Sequence, residues 1–395
     1  MAYGIAGWRG QYAVSPRNAC DPGRMRRGLL PVAAVFILFG LFWGIWAVST
    51  ADVAAALGLG PGGFGALLAV ALTASAATGA MTASMVERWG TGITLAVSLV
   101  FWAAGLLVMA LVGTPWAFAT ATVVTIAFGG AVDVTINIAS AAALSDRPGD
   151  LVRFHGLFTA GAVVGAAATA LLDHGHWRWQ TALIGVAVIA LVLAVVCTRV
   201  DLPAGEAGES HGLLHALRTI RREGLVVLAL VFACSGMVEG GIETWGVLFL
   251  RRQLATGVLI GATAYVVGQS LAALSRFFLG PRAGGLGARR GASIGAAGAA
   301  TGLLLLAFGP TPVAMAGLAL AAASIALCWP LLVSLAGEGR ERPAAVVGGV
   351  TSVGYLGLVL GPPLVGGVAE VANLSIGLAA LAAIGFFVAV RARRL

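Results

Sequence analysis

Twelve apolar stretches, each long enough to cross a bilayer, constrain the fold of this chain more than any other feature of its sequence. A helix rises about 1.5 Å per residue and the hydrocarbon core is about 30 Å thick, so ~20 apolar residues make one crossing. Cutting at charges, prolines and glycine clusters gives spans at 30–50, 62–86, 92–113, 116–144, 154–172, 180–198, 224–248, 257–279, 291–309, 312–336, 344–370 and 372–390. The interruptions are weakest at "VGTPW" and "EVANLS". Lipid offers a bare backbone no hydrogen bonds, so each stretch must satisfy its own as a helix. The expected fold class is all-α integral membrane, with 12 transmembrane helices. Composition agrees: 59% of residues are hydrophobic and 10% charged, where soluble domains run at roughly 45–50% and 25%.

Arginine placement orients the spans. All 24 basic residues are Arg, and with the N-terminus in the cytoplasm 20 fall on that side against three (Arg178, Arg251, Arg252) on the other. Arg276 lies near the inner end of span 8, where a long side chain can snorkel to the surface or meet a solute carboxylate. This bias puts both termini in the cytoplasm and the protein in the inner (cytoplasmic) cell membrane. Residues 1–27 carry five arginines but no apolar core of a signal, and form a basic tail. The longest polar segment divides the chain into an N-terminal six-helix half at 28–198, a cytoplasmic linker at 199–223, a C-terminal six-helix half at 224–390 and a cytoplasmic end at 391–395. The halves repeat weakly, since "FGLFWGIW" with Gly40 and Gly44 answers "SGMVEGGIETW" with Gly236 and Gly240. Two parallel halves of this kind place a solute site near the midplane between them. A net charge of +8 does not signify nucleic acid, because the arginines are dispersed between apolar runs. No Walker signature marks a nucleotide site, and Cys20, Cys197, Cys234 and Cys328 stand alone, so no cofactor or metal is expected.

Several longer motifs carry a family resemblance over nearly the whole chain. They are "GLFWGIW" followed by "ALGLG", "GAVDVTIN" in span 4, "RFHGLFTAG" at span 5, "EGGIETW" in span 7, "WPLLVSLAG" in span 10 and "YLGLVLGPPLVGGVAE" in span 11. Together they resemble major facilitator (MFS) transporters of the fucose-permease-like and YbjJ-like group. The resemblance implies two pseudo-repeated six-helix halves, a cavity lined by spans 1, 4, 7 and 10, and a cytoplasmic latch between spans 2 and 3. Of that latch "ASMVERWGTG" keeps Glu87, Arg88 and Gly90, with Ala83, Thr91 and Gly92 where the family pattern has Gly and two basics. Its C-terminal counterpart "GPRAGGLGARR" keeps Gly287, Arg289 and Arg290 but no acid. The Arg and Pro that relatives carry after the span 1 Trp are here Ser49 and Ala51.

A charge near the bilayer centre costs ~2.5–3.5 kcal/mol on insertion scales, so those that persist face a cavity or a partner. Asp133 has Asn137 four residues on and Ser140 continuing the same face. It either hydrogen-bonds Asn137 as a structural pair or takes part in transport; the family pattern implies a protonatable coupling group. Glu239 and Glu243, also four apart, repel each other when both are ionised, and such a pair can carry a proton. Glu239 matches the family pattern. Glu243 does not, and pairing with Arg251 or Arg252 at the outer mouth is its alternative role.

Aromatic residues supply the remaining candidates. Trp46, Trp245 and Trp329 fall on the spans that line the cavity in this family, where they would stack on a ring-shaped solute. His155 fits the "FHGLF" pattern and either titrates in the cavity or caps span 5. Asp173, His174 and His176 have ligand-like spacing, yet one short loop rarely closes a four-ligand zinc shell. The reading is a monomeric MFS transporter that moves a small organic solute by alternating access, with protons as the drive. Symport of a sugar-like or polar metabolite comes first and efflux of a drug or secondary metabolite second. A membrane enzyme or sensor is disfavoured, because no catalytic constellation gathers at one depth.

Overall fold

The computed structural model describes residues 22–144, 148–203, 213–278, 287–338 and 343–395. They form a helical bundle without strands among the described residues. Spans 1 to 6 are Gly28–Ala56, Pro61–Thr82, Ser84–Leu111, Pro115–Leu144, Gly156–His174 and Gln180–Arg199. Spans 7 to 12 are Val226–Arg252, the shorter Val258–Leu274, Ala288–Phe308, Thr311–Gly337, Gly349–Val371 and Leu374–Ala392. A short amphipathic helix of the central linker, Leu213–Arg222, lies against span 11.

The weak interruptions are real helix ends. Pro115 opens span 4, where a missing N–H costs nothing, and Asn373 in extended conformation caps span 12 by accepting from the Ile376 N–H at 3.0 Å. The continuous helix Pro61–Leu111 that carries spans 2 and 3 is kinked at Gly90, φ 80°, and the helix of span 9 is preceded by Gly287 at φ 78°. A side chain at either would be strained by the backbone itself.

In lipid, apolar burial does little to bring helices together, and close backbone approach does more. Spans 1 and 5 cross through four glycines. A Cβ on Gly40 or Gly44 would strike the carbonyls of Phe158 or Ala162, and one on Gly161 or Gly165 those of Ile37 or Leu41. Spans 7 and 11 cross in the same way: Gly236 and Gly240 meet the carbonyls of Gly354 and Leu358, while Gly357 and Gly361 meet those of Ala233 and Met237. The residue numbers of the two crossings differ by 196 throughout, as Gly40 with Gly236 and Gly161 with Gly357 illustrate. One scaffold has been built twice.

Two departures from regular helix bear on the interior. Span 10 is broken at Ala326–Leu327, between helices Thr311–Ile325 and Cys328–Gly337. Pro330 is the cause, since it has no N–H to give the Ala326 carbonyl. Span 11 contains Pro362 and Pro363, and the Pro362 carbonyl accepts the indole N–H of Trp245 at 3.0 Å.

The halves join at one end. Span 2 packs on span 11, span 5 on span 8, and span 1 on span 7. At this end Gly65 lies against Pro362 and Pro363, and the Gly62 N–H donates to Glu370 Oε2 at 2.9 Å.

Candidate functional site

Span 4 carries a polar stripe on an otherwise apolar helix. Asn137 Nδ2 donates to Asp133 Oδ1 at 2.9 Å and to the Asp133 carbonyl at 2.9 Å, and Ser140 Oγ donates to the Asn137 carbonyl at 3.1 Å. Val132, Ile136 and Ala139, on the adjoining flank, are buried, whereas Asp133 and Asn137 are only half-buried.

Asp133 of span 4 and Glu239 of span 7 lie within electrostatic range of the Tyr355 hydroxyl of span 11, and Tyr355 is half exposed. Its ring meets Trp329 edge-on with centroids 5.1 Å apart, and Trp329 meets Phe232 at 4.5 Å. Trp329 follows the break in span 10 by two residues. Glu239 is half-buried and also acts on the buried thiol of Cys328, while Glu243, one turn on, is exposed and lies within electrostatic range of Tyr265.

At the joined end an ion pair crosses the interface. Arg251 Nη1 and Nη2 grip Asp52 Oδ2 and Oδ1 at 2.5 and 3.0 Å, Nη1 also donates to the Val48 carbonyl at 3.0 Å, and Arg252 Nη2 donates to the Ala51 carbonyl at 2.8 Å. A two-pronged Arg–carboxylate contact is the strong, oriented form of this interaction. Span 1 was expected to stop near residue 50; it runs on to Ala56 and so presents Asp52 to span 7. Asp52 was not among the residues singled out from the sequence, and it pairs with Arg251. The available signal was an acid at the outer end of one half with arginines at the outer end of the other.

The other candidates divide. Trp329 is half-buried and packs edge-on against Phe232 and Tyr355. Trp245 is fully buried, its ring against Phe64 and its N–H given to Pro362, so here it closes the joined end and does not face solute. Trp46 is buried too, beside Phe42; the half-buried indole of span 1 is Trp43. The His155 side chain lies outside the described residues, as does that of Arg276. Glu87, Arg88, Arg289 and Arg290 are exposed, and among the described residues no ion pair joins them across the two halves. His174 and His176 are exposed at the end of span 5 and in the turn that follows.

Comparison with known proteins gives the following. The family model of the Major Facilitator Superfamily matches residues 32–362. An uncharacterized MFS-type transporter of Yersinia pestis is 25% identical over 385 residues, covering 95% of this chain and 97% of the relative. Membrane protein MosC of Rhizobium meliloti is 25% identical over 93% of this chain and 90% of its own. Among solved structures, the nucleoside transporter NupG superposes with a TM-score of 0.74 at 15% identity, covering 94% of this chain and 99% of that one. A bacterial homologue of the human lysosomal transporter Spinster, in an inward-facing and unoccupied conformation, also gives 0.74 at 15% identity, over 95% and 97%.

Proposed function

The chain belongs to the Major Facilitator Superfamily and is a multi-pass membrane transporter, and on that premise we propose that it moves a small polar organic solute by alternating access, coupled to protons. The observation that carries the coupling is a carboxyl, Asp133, inside a membrane span and held by Asn137 Nδ2 at 2.9 Å. A carboxyl that must be desolvated whenever the cavity closes is stabilised there by a proton, and releases it when water returns. Asn137 keeps a hydrogen bond to Asp133 in either form, so it orients the group without neutralising it.

The arginine bias places the Asp52 end outside and both termini in the cytoplasm. On this orientation the ion pair Asp52–Arg251, the Gly62–Glu370 contact and the Trp245–Pro362 contact close the outer mouth, and the state is inward-facing. Glu87, Arg88, Arg289 and Arg290 would then form a latch only when the inner mouth shuts. The molecule works as a monomer in the inner membrane, with the two six-helix halves at 28–198 and 224–390 rocking about the central site.

Symport of a polar metabolite is the first reading. Proton-driven efflux is the second, favoured by the aromatic wall of Trp329, Tyr355 and Phe232. The deciding experiment uses proteoliposomes with an imposed pH gradient and the solute found by thermal-shift screening. The wild type should accumulate solute, and the direction of the gradient that drives it separates import from export. Asp133→Asn mimics the protonated form and keeps the contact to Asn137. It should lose gradient-driven accumulation while retaining at least part of solute-for-solute exchange. Unchanged accumulation by this variant would show that Asp133 is not the coupling group.

A further inference from the structure

The helix of the central linker, Leu213–Arg222, has ten residues and is too short to cross a bilayer. It ends in a turn that leaves it no slack. The Glu223 N–H donates to the Thr219 carbonyl at 2.9 Å, the Gly224 N–H to that of Arg221 at 3.2 Å and the Leu225 N–H to that of Ile220 at 2.9 Å, with Gly224 in the left-handed region at φ 69°. This is the Schellman pattern, in which a glycine reverses the chain and the last carbonyls of the helix are satisfied. Ile220 and Leu225, the two positions that such a turn brings together, are both buried. Span 7 begins at the next residue, Val226, which is 54% exposed. The helix is thereby fixed at the level where the membrane begins.

Its faces are unlike. Ile220 is buried, and the helix packs on span 11. Leu217 is 41% exposed, and Arg221, four residues on and so on the same side of the helix, is exposed with it. Arg218 and Arg222, again four apart, are exposed on the adjoining strip. Three guanidinium groups thus flank an uncovered leucine, and against the single acid of the following turn, Glu223, they leave two positive charges. A leucine exposed at this level can enter the acyl boundary, while arginines beside it reach the phosphates above.

We propose that Leu213–Arg222 is a docking site for anionic phospholipid, with Arg218, Arg221 and Arg222 holding the phosphates of adjacent headgroups and Leu217 set into the acyl boundary. The forked guanidinium suits phosphate oxygens in a way that a point charge does not. On the orientation given by the arginine bias, the lipid belongs to the inner leaflet. Because the helix rests on span 11 and only Glu223, Gly224 and Leu225 separate it from span 7, bound lipid ties the C-terminal half to the membrane surface.

The test uses the purified, delipidated full-length protein in neutral detergent, with its melting temperature followed as dioleoylphosphatidylglycerol or dioleoylphosphatidylcholine is added. The wild type should favour the anionic lipid about tenfold or more, and the preference should shrink as salt rises from about 0.1 to 1 M. Arg218→Gln, Arg221→Gln and Arg222→Gln should each cost about three- to fivefold, and the triple variant should bring the preference below about threefold. Glutamine matches arginine in helix propensity and the three positions are exposed, so the melting temperature without lipid should stay at the wild-type value. Arg393→Gln with Arg394→Gln removes two exposed arginines after span 12 and should leave the preference within about twofold of wild type. Inorganic phosphate at the same phosphate concentration should neither stabilise the protein nor displace the lipid. The proposal fails if the wild type does not distinguish the two lipids, if the triple variant keeps the preference, or if the Arg393 and Arg394 control loses as much as the triple variant. Stabilisation by inorganic phosphate alone, lost in the triple variant, would make this a site for a free anion and overturn the lipid assignment.

Discussion

The two halves share a skeleton and differ in what they hang on it. At the crossings of spans 1 and 5 and of spans 7 and 11, eight glycines stand in one register, and each meets a carbonyl that a methyl group would strike. Where the helices face each other across the midplane, the same register pairs unlike residues: Asp133 with Trp329, and Trp43 with Glu239. The gate is asymmetric as well, since Asp52 corresponds to Leu248 and Arg251 to Ala55. Identity is kept where backbones must touch, and it is given up at Asp133, Trp329, Trp43 and Glu239 and at the Asp52–Arg251 ion pair.

The comparison breaks most easily at the crossings. Gly40→Val and Gly236→Val each push a branched side chain into a backbone carbonyl, which cannot move aside as a flexible side chain can. Overpacking costs about 1–3 kcal/mol at ordinary core sites, and these substitutions should reach or exceed the upper figure. Both variants should give little monodisperse protein on size exclusion. If one half tolerates the change and the other does not, the crossings are not equivalent supports.

The gate should respond more moderately. Asp52→Asn or Arg251→Gln leaves the other partner beside carbonyls and apolar neighbours. Arg251 is 13% exposed and Asp52 34%, so water screens part of the loss and about 1–2 kcal/mol of stability should go. The reversed pair, Asp52→Arg with Arg251→Asp, restores the attraction without restoring the contact to the Val48 carbonyl. Recovery of melting temperature by the reversal, and of inter-half cross-linking between cysteines placed at Gly62 and Glu370, is the expected result. Equal melting temperatures for wild type and both single variants would reduce the pair to a surface contact.

How much of this was legible in the sequence follows from the range of the interactions involved. The spans could be read because hydropathy is local, and the Asp133–Asn137 bond because four residues on a helix share a face. The glycine repeat was visible as "FGLFWGIW" against "SGMVEGGIETW", although its partners in spans 5 and 11 were not, since a crossing is a relation between distant segments. Asp52 escaped for the same reason: its partner is 199 residues away, and it depends on span 1 continuing past residue 50. Trp46 and Trp245 lie on helices that line the interior, but which face of a helix turns inward is set by its neighbours. Trp46 is buried beside Phe42, and Trp245 turns its indole N–H to Pro362.

The finest difference between the halves is the continuity of the helix that carries the site. Span 4 runs unbroken from Pro115 to Leu144, whereas span 10 breaks at Ala326–Leu327, just before Trp329. The register puts Val134 where span 10 has Pro330. The bonds around the break are long: Ala326 N–H to the Ala322 carbonyl at 3.4 Å, Leu327 N–H to Ser324 at 3.3 Å and Leu331 N–H to Leu327 at 3.4 Å. Pro330→Ala returns the missing donor and lets span 10 close like span 4. An interior proline costs a helix ~3 kcal/mol, but the native break has already relaxed around it, so the gain in stability should be nearer 1 kcal/mol. If the break is the joint that lets Trp329 follow the solute as the halves rock, turnover should slow severalfold while affinity for the solute stays within about twofold. A variant that is more stable and equally fast would make the break a tolerated irregularity, and the two halves would then differ in chemistry alone.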